Sequence, residues 1–393
     1  MPAILSHVQV LMLIGAGLFA AVFTFTINWL GLIPWRRAPD RHWTERARLY
    51  YPVLVAARGN LWVLPAILTM TAMLLWPDDS PQWVLMILVT AFGVVAGTVP
   101  MDHEVFPRTP LNELLRQTAV SWLMRFAIWL VFLSAIALSP DQFGFQSLII
   151  FVVVLGLLIL WNRRGWIWTG RKLGLFLPPP ERLQNIVRDT AAGMNVPVRE
   201  LWLMRSARAQ AFAMPDSARL VFTDRLLQML SDDEIAAVCA HELAHLTEAW
   251  KDYYQRYVLW LMFLPWLFFK PVVHLLGLFG YLVLVCLTAI LPRLYRGISH
   301  QLESRADGMA KAVERDPGTY ARALARMYED NLIPAVTAKQ TTHPHLYDRL
   351  VTAGAVPDFP RPAAAATTTW YGHVLAGALG LLAVILVIHW TNP

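Results

Sequence analysis

Eight apolar runs govern what this chain can become: roughly 9–33, 61–76, 83–99, 120–138, 147–162, 254–269, 273–291 and 371–390. In a bilayer the backbone must satisfy its own hydrogen bonds, so each run is expected to be a membrane-spanning helix. Several are shorter than the roughly 20 residues a perpendicular helix needs. Tilt, snorkelling or extension into flanking residues closes that gap. The 393 residues are 56% hydrophobic and only 15% charged, against about 25% charged in a soluble domain. The first run is too long, and its C-terminal flank too basic, for a cleaved signal peptide, so it reads as a permanent helix.

Arginine and lysine set the orientation. Arg36, Arg37, Arg41, Arg46, Arg48 and Arg58 follow the first run, and Arg108 and Arg116 the third. Arg163, Arg164, Arg171 and Lys172 follow the fifth, whereas the turn holding Asp78 and Asp79 and the turn 139–146 carry neither residue type. The expected topology places the N-terminus outside and segments 163–253 and 292–369 in the cytosol, with Lys270 the one exception. The formal net charge of +6 then reflects topology and contact with anionic lipid, and no nucleic-acid partner is expected. Trp29, Trp35, Trp76, Trp83, Trp161 and Trp390 near run ends fit an interfacial belt. Arg125, about two turns inside the fourth run, is expected to snorkel to the cytosolic face in preference to pairing inside the bundle. Cys239 and Cys286 imply no disulfide framework. The excess of arginine over lysine suggests a GC-rich bacterial genome, hence an inner-membrane location.

His241-Glu242-Leu243-Ala244-His245 carries the chemistry. Histidines four residues apart lie one above the other on a helix face, where one zinc ion can take both imidazoles. Glu242 sits about 100° round the helix from His241, placed to act on a water at the metal without ligating it. A catalytic zinc takes three protein ligands and keeps a fourth position open. Glu303 and Asp307, at i and i+4, share a helix face: Glu303 is the expected third ligand, and Asp307 the acceptor for the free ring N–H of a ligand histidine. In Thr342-His343-Pro344-His345-Leu346-Tyr347-Asp348-Arg349, His343 is a candidate donor to the oxyanion of a tetrahedral intermediate. Arg349 is a candidate to hold that loop or a substrate carbonyl. The plainer alternatives are two partly buried helix histidines, a solvated helix face of mixed charge and an ordinary polar loop.

The chain divides into a five-span bundle (1–162), a cytosolic region with a small sheet and the pentad helix (163–253), a transmembrane hairpin turning at Lys270-Pro271 (254–291), the second half of the cytosolic region (292–369) and a last span (370–393). An amphipathic helix is expected over Glu181–Ala192, then strands at Leu201–Met204, Gln210–Met214 and Arg219–Phe222 forming a small antiparallel sheet. Ser231-Asp232-Asp233-Glu234 is a capping box that starts the pentad helix. With no strong breaker before Pro265, that helix is expected to run on into the sixth span, with Trp250, Tyr253 and Tyr254 at the lipid boundary.

Three elements in this order, LSDDEIAAVCAHELAH, ESRAD after a membrane hairpin, and THPHLYDRL, resemble the M48 family of membrane zinc metalloproteases, which includes the bacterial heat-shock membrane protease and the eukaryotic CAAX prenyl protease. Upstream, AQAFAMPDSARLVFTDRLLQML is similar to the family's segment with an Asn-Ala-Phe core, although Gln210 stands where Asn is usual. The resemblance covers about 181–355. It implies a mainly α, multi-span protein with a cytosolic zincin-like α+β catalytic domain. It also implies one Zn2+ per chain and cleavage of peptides or membrane proteins at the cytosolic membrane face, with Glu242 as general base. His343 would steady the oxyanion, and Ala211, Phe212, Ala213 and Met214 would form the edge on which an extended substrate lies; packing as a core strand is the alternative for that segment. Rival readings are a zinc-binding scaffold with little turnover, hydrolysis of a non-peptide amide or ester in lipid, and a site-2-type intramembrane protease. The last is disfavoured by the charged flank of the pentad and the absence of Leu-Asp-Gly.

Overall fold

The structure, a computed structural model, describes residues 6–75, 83–248, 263–338, 344–367 and 370–391. Trp76, the Asp78-Asp79 turn, the opening of the sixth run, Trp250, Tyr253, Tyr254 and His343 lie outside the described residues, as does the Arg125 side chain. The membrane part begins with α1 (His7–Gly31), the short α2 (Ile33–Arg36), α3 (Trp43–Leu75), α4 (Trp83–Val105) and α5 (Leu111–Leu138). It continues with α6 (Phe145–Leu160), which passes through one π turn at Trp161–Gly165 into α7 (Trp166–Lys172).

Helices α1 and α4 pack through small residues. A Cβ on Gly93 would lie 2.2 Å from the Gly17 carbonyl oxygen, and one on Gly97 2.3 Å from that of Ala21. The Gly93-x-x-x-Gly97 spacing therefore brings two backbones together, which is how helices associate where lipid removes the hydrophobic drive. Gly93→Leu is expected to cost about 1–3 kcal/mol through overpacking. A thermal midpoint in detergent equal to that of the unsubstituted chain would contradict so close an approach.

The sheet contains β1 (Phe176–Leu177), β2 (Glu200–Met204), β3 (Ala211–Met214) and β4 (Arg219–Thr223) in the order β1-β2-β4-β3. The expected all-antiparallel arrangement is corrected here. β3 turns through Pro215–Ser217 and pairs antiparallel with β4, but β4 inserts between β2 and β3 and runs parallel to β2, Glu200 opposite Arg219 and Met204 opposite Thr223. Alternation along β4 explains its central place: Leu220 and Phe222 join the core under α8 (Glu181–Met194), while Val221 faces Met124, Ile167 and Phe176 at the end of the membrane bundle. Among the described residues β3 is left as an edge, bonded on one side only.

After the short α9 (Asp224–Met229), α10 (Asp232–Leu246) carries the pentad. Its capping box forms as expected, with Ser231 accepting from the Glu234 N–H and Glu234 from the Ser231 N–H. The helix does not run on into the membrane, since it ends at Leu246 with Thr247 as its C-cap.

A 3-10 turn, Leu264–Phe268, then leads into α11 (Phe269–Val313). The hairpin exists, but its apex is Gly277 (φ 55°, ψ −140°), not Lys270-Pro271. Trp266 Nε1 donates to Thr288 Oγ1 at 2.7 Å, and Gly280 lies against Val272, so the chain folds back symmetrically about Gly277. A positive φ of this kind suits glycine. Lys270 instead donates to the Ala137 carbonyl at 2.7 Å, in the last turn of α5, a favoured place for a cation. The cytosolic part closes with α12 (Thr319–Asp330) and α13 (Leu346–Thr352), followed by α14 (Trp370–Thr391).

Six described helical stretches are long and apolar enough to cross a membrane: His7–Gly31, Trp43–Leu75, Trp83–Val105, Leu111–Leu138, Phe145–Lys172 and Leu264–Ile290. The expected count of eight is thus not reached among the described residues. The sixth and seventh runs merge into the folded-back Leu264–Ile290, and the described apolar part of α14 is the shorter Gly377–Leu386. The chain is nonetheless a multi-pass membrane protein of mainly helical fold with one small sheet.

Candidate metal centre

Helix α10 supplies His241, Glu242 and His245, all buried. Helix α11 returns from its reversal at Gly277 and lays Glu303 against both histidines. One ligand atom from each of His241, His245 and Glu303 falls within 4.8 Å of the others. The two Nε2 atoms are 3.2 Å apart, with Glu303 Oε2 3.5 Å from that of His241 and Oε1 3.6 Å from that of His245. Two ligand atoms held about 2.05 Å from one tetrahedral ion are roughly 3.3 Å apart, so the spacing fits a metal.

The protons fit as well. Tyr320, the second residue of α12, donates its one hydroxyl proton to Asp307 Oδ1 at 2.6 Å. Its oxygen, 2.7 Å from His241 Nδ1, is then left to accept, and Asp307 Oδ1 is also only 3.1 Å from that nitrogen. His245 Nδ1 lies 2.7 Å from the buried carboxylate of Glu248. Both rings therefore carry their proton on Nδ1 and turn lone-pair Nε2 atoms toward each other, an assignment that follows from the network. Two facing lone pairs beside a carboxylate call for a cation. Burial opposes a charge on His241, but Asp307 and Glu303 outweigh it and raise its pKa to about 9.

Arg349, on α13, is buried behind the site. It donates from Nε to Asp307 Oδ2 at 2.8 Å, and from Nη2 to Asp307 Oδ1 at 2.6 Å and to Tyr320 Oη at 2.9 Å. Burial works to raise the Asp307 pKa, but His241 and Arg349 hold it well below the usual carboxylate range.

The structure thus gathers His241, His245, Glu303, Asp307 and Arg349 into one cluster, with Glu242 on the same helix. Among the described residues these bonds of Arg349 go to Asp307 and Tyr320, and residues 342 and 343 of the loop it was expected to hold lie outside them. His345 caps α13, and its Nδ1 is 3.4 Å from the Thr337 N–H. Ala211, Phe212, Ala213 and Met214 do not join the cluster. Ala211 and Ala213 pack toward the α8–α10 core, and Phe212 and Met214 toward the bundle, Phe212 edge-on to Trp166 at 5.6 Å.

Tyr320 and Glu248 were not singled out from the sequence. Glu248 had a signal, since it stands at i+3 from His245. Tyr320, whose ring stacks on His241 at 5.6 Å, reads from its spacing only as a core aromatic.

Residues 179–355 match Peptidase family M48, and this is the stretch that holds the whole cluster. That stretch of the chain is similar to the M48 peptidases. A "Protease HtpX homolog" of Syntrophobacter fumaroxidans is 37% identical over 68 residues, 16% of this chain and 24% of that protein. A "Protease HtpX homolog" of Acaryochloris marina is 40% identical over 67 residues, 16% and 23% respectively. "Protease HtpX" of Legionella pneumophila subsp. pneumophila is 36% identical over 73 residues, 18% and 26%. The chain therefore spans about a quarter of the length of these curated relatives. Within the matched stretch, Gln210 uses its main chain to open the β3–β4 pairing, donating to Thr223 Oγ1 at 2.9 Å and accepting from the Thr223 N–H at 2.9 Å.

Proposed function

We propose that this protein is an integral-membrane zinc endopeptidase that cuts extended peptide segments at the cytosolic membrane face. The observation that carries the reading is the convergence of two Nε2 atoms and the buried Glu303 carboxylate, with a second carboxylate, Glu242, on the ligand helix. His241, His245 and Glu303 would hold one Zn2+. Zinc held there would lower the pKa of an attacking water toward about 7 and polarise the scissile carbonyl.

The chain's own groups do the rest. Glu242 accepts the proton of the attacking water and delivers it to the leaving amine. Asp307, Tyr320 and Glu248 keep both ring protons on Nδ1, which fixes ring orientation. Arg349 neutralises Asp307, and His343 donates to the oxyanion. The free edge of β3, residues Ala211, Phe212, Ala213 and Met214, receives the substrate as an added strand. Peptides or membrane proteins are the substrate class.

The cytosolic assignment draws on the arginine-rich ends of the bundle, which abut the M48 region. Arg108 pairs with Asp330 at 2.6 Å, Arg171 lies over the Trp202 ring at 4.7 Å, and Arg219 bonds the Arg163 carbonyl. Positive charge marks the cytosolic side, and with it an N-terminus outside.

The purified full chain, loaded with zinc in detergent, is expected to cleave an unfolded model protein, to stop after chelation, and to recover on zinc addition. A zinc-loaded chain that cleaves neither this substrate nor itself would favour a metal-binding scaffold instead.

A further inference from the structure

The segment 205–210 joins β2 to β3, and the membrane bundle grips it from three helices. Arg208 reaches into the bundle, with Nη2 3.3 Å from Asp102 Oδ1 on α4 and 3.4 Å from Tyr50 Oη on α3. Its guanidinium lies 4.9 Å from the centre of the Phe106 ring. Gln117 of α5 accepts from the Ala207 N–H at 3.1 Å. On the other side, Asn331, the C-cap of α12, binds Ala209 twice, accepting from its N–H at 3.0 Å and donating to its carbonyl at 2.7 Å. Asp224 accepts from the Ser206 N–H at 2.9 Å.

This degree of anchoring has a geometric consequence. β3 is four residues long and, among the described residues, bonded along one side only. Its placement therefore depends on how its ends are held, and its leading end is the gripped segment. The same α12 that holds Ala209 carries Tyr320 against His241. Strand and metal cluster thus share one reference helix, while the bundle sets the strand's remaining freedom. A substrate added to β3 has to meet the metal cluster within about 0.5 Å.

We infer that Arg208 is a positioning residue through which the membrane bundle sets where edge strand β3 presents an extended substrate to the metal centre. The inference rests on the proteolytic reading above. It assigns the N-terminal helices a part in substrate placement, beyond anchoring the chain.

The test compares the zinc-loaded full chain with Arg208→Met and Arg208→Lys on an unstructured peptide long enough to pair along β3 and on a short blocked peptide that is not. Arg208→Met is expected to lower kcat/KM for the long peptide by roughly 10- to 100-fold. Most of that loss should lie in KM, with a far smaller loss on the short peptide. Arg208→Lys, which keeps a charge for Asp102, is expected to recover much of the difference. Equal losses on both peptides, or an unaltered KM for the long one, would overturn the inference and leave Arg208 a fold-stabilising residue.

If Arg208→Met does not fold, Gln117→Ala removes only the bond to Ala207 and should give the same split at smaller size; its absence counts against the inference equally. If the unsubstituted chain cleaves neither peptide, the proteolytic reading fails by itself. Hydrogen exchange then decides the placement. Arg208→Met, or Gln117→Ala in its stead, must speed exchange across Ala211–Met214 while α10 keeps its protection, and unaltered exchange in the strand overturns it.

Discussion

Zinc-loaded Glu242→Gln protein is expected to hold one zinc per chain and to cleave at least about 10³-fold more slowly than the unsubstituted chain, within the usual range for removing a general base. The substitution keeps size and helix propensity and leaves His241, His245 and Glu303 untouched, so metal content and thermal midpoint should stay near their original values. Glutamine cannot accept the proton of an attacking water, and that is the one function removed. Metal analysis and cleavage of an unfolded protein, measured on the same preparation, separate the possibilities. Equal cleavage by both proteins points to a contaminant and removes the mechanism. Loss of zinc along with activity would mean that Glu242 supports the metal, contrary to the three-ligand arrangement. An unaltered cellular phenotype with zinc in place would favour a scaffold, which has no use for this carboxylate.

The sequence exposes this part of the site because its signals are local. A histidine pair on one helix face, a four-residue capping box and a carboxylate pair at i and i+4 each need only helix geometry, and the structure forms all three elements. What lay beyond sequence reading depends on partners far along the chain. The parallel β2–β4 pairing follows from β4 inserting between strands, which alternation along any one strand does not encode. The reversal at Gly277 carries no turn signal except a glycine in an apolar run, where Lys270-Pro271 offered a more conspicuous but misleading one. Arg349 was expected to hold the loop or a substrate carbonyl. The partners Asp307 and Tyr320, which the sequence did not pair with it, are 42 and 29 residues upstream, and only packing α13 against α11 and α12 brings them together. The Arg208 plug, 106 residues from Asp102, is likewise a product of tertiary structure alone.

Arg349→Met is expected to be the most destabilising single change near the site, and to act on metal affinity before chemistry. The Arg349 side chain is 5% exposed, and three of its hydrogen bonds satisfy Asp307 and Tyr320. Methionine fills much of the space but leaves the Asp307 carboxylate without its main counter-charge. Breaking one partner of a buried pair costs about 3–5 kcal/mol.

Asp307 can escape that cost by taking a proton, and its depressed pKa gives the direction. A carboxylate held low stabilises the fold above its unfolded pKa and loses that contribution as pH falls toward the folded value. Without Arg349 the folded value rises, so the variant should lose stability at a higher pH than the unsubstituted chain. Asp307 and Tyr320 also fix the His241 proton on Nδ1, and loosening such partners costs about 10- to 100-fold in metal affinity.

Adding Asp307→Asn to Arg349→Met removes the stranded charge, so the double variant should recover part of the stability but not the zinc affinity. Zinc titration followed by a denaturation series at two pH values measures both quantities. If Arg349→Met binds zinc as tightly as before and loses only turnover, Arg349 acts on the substrate carbonyl and the buried cluster is not its working partner.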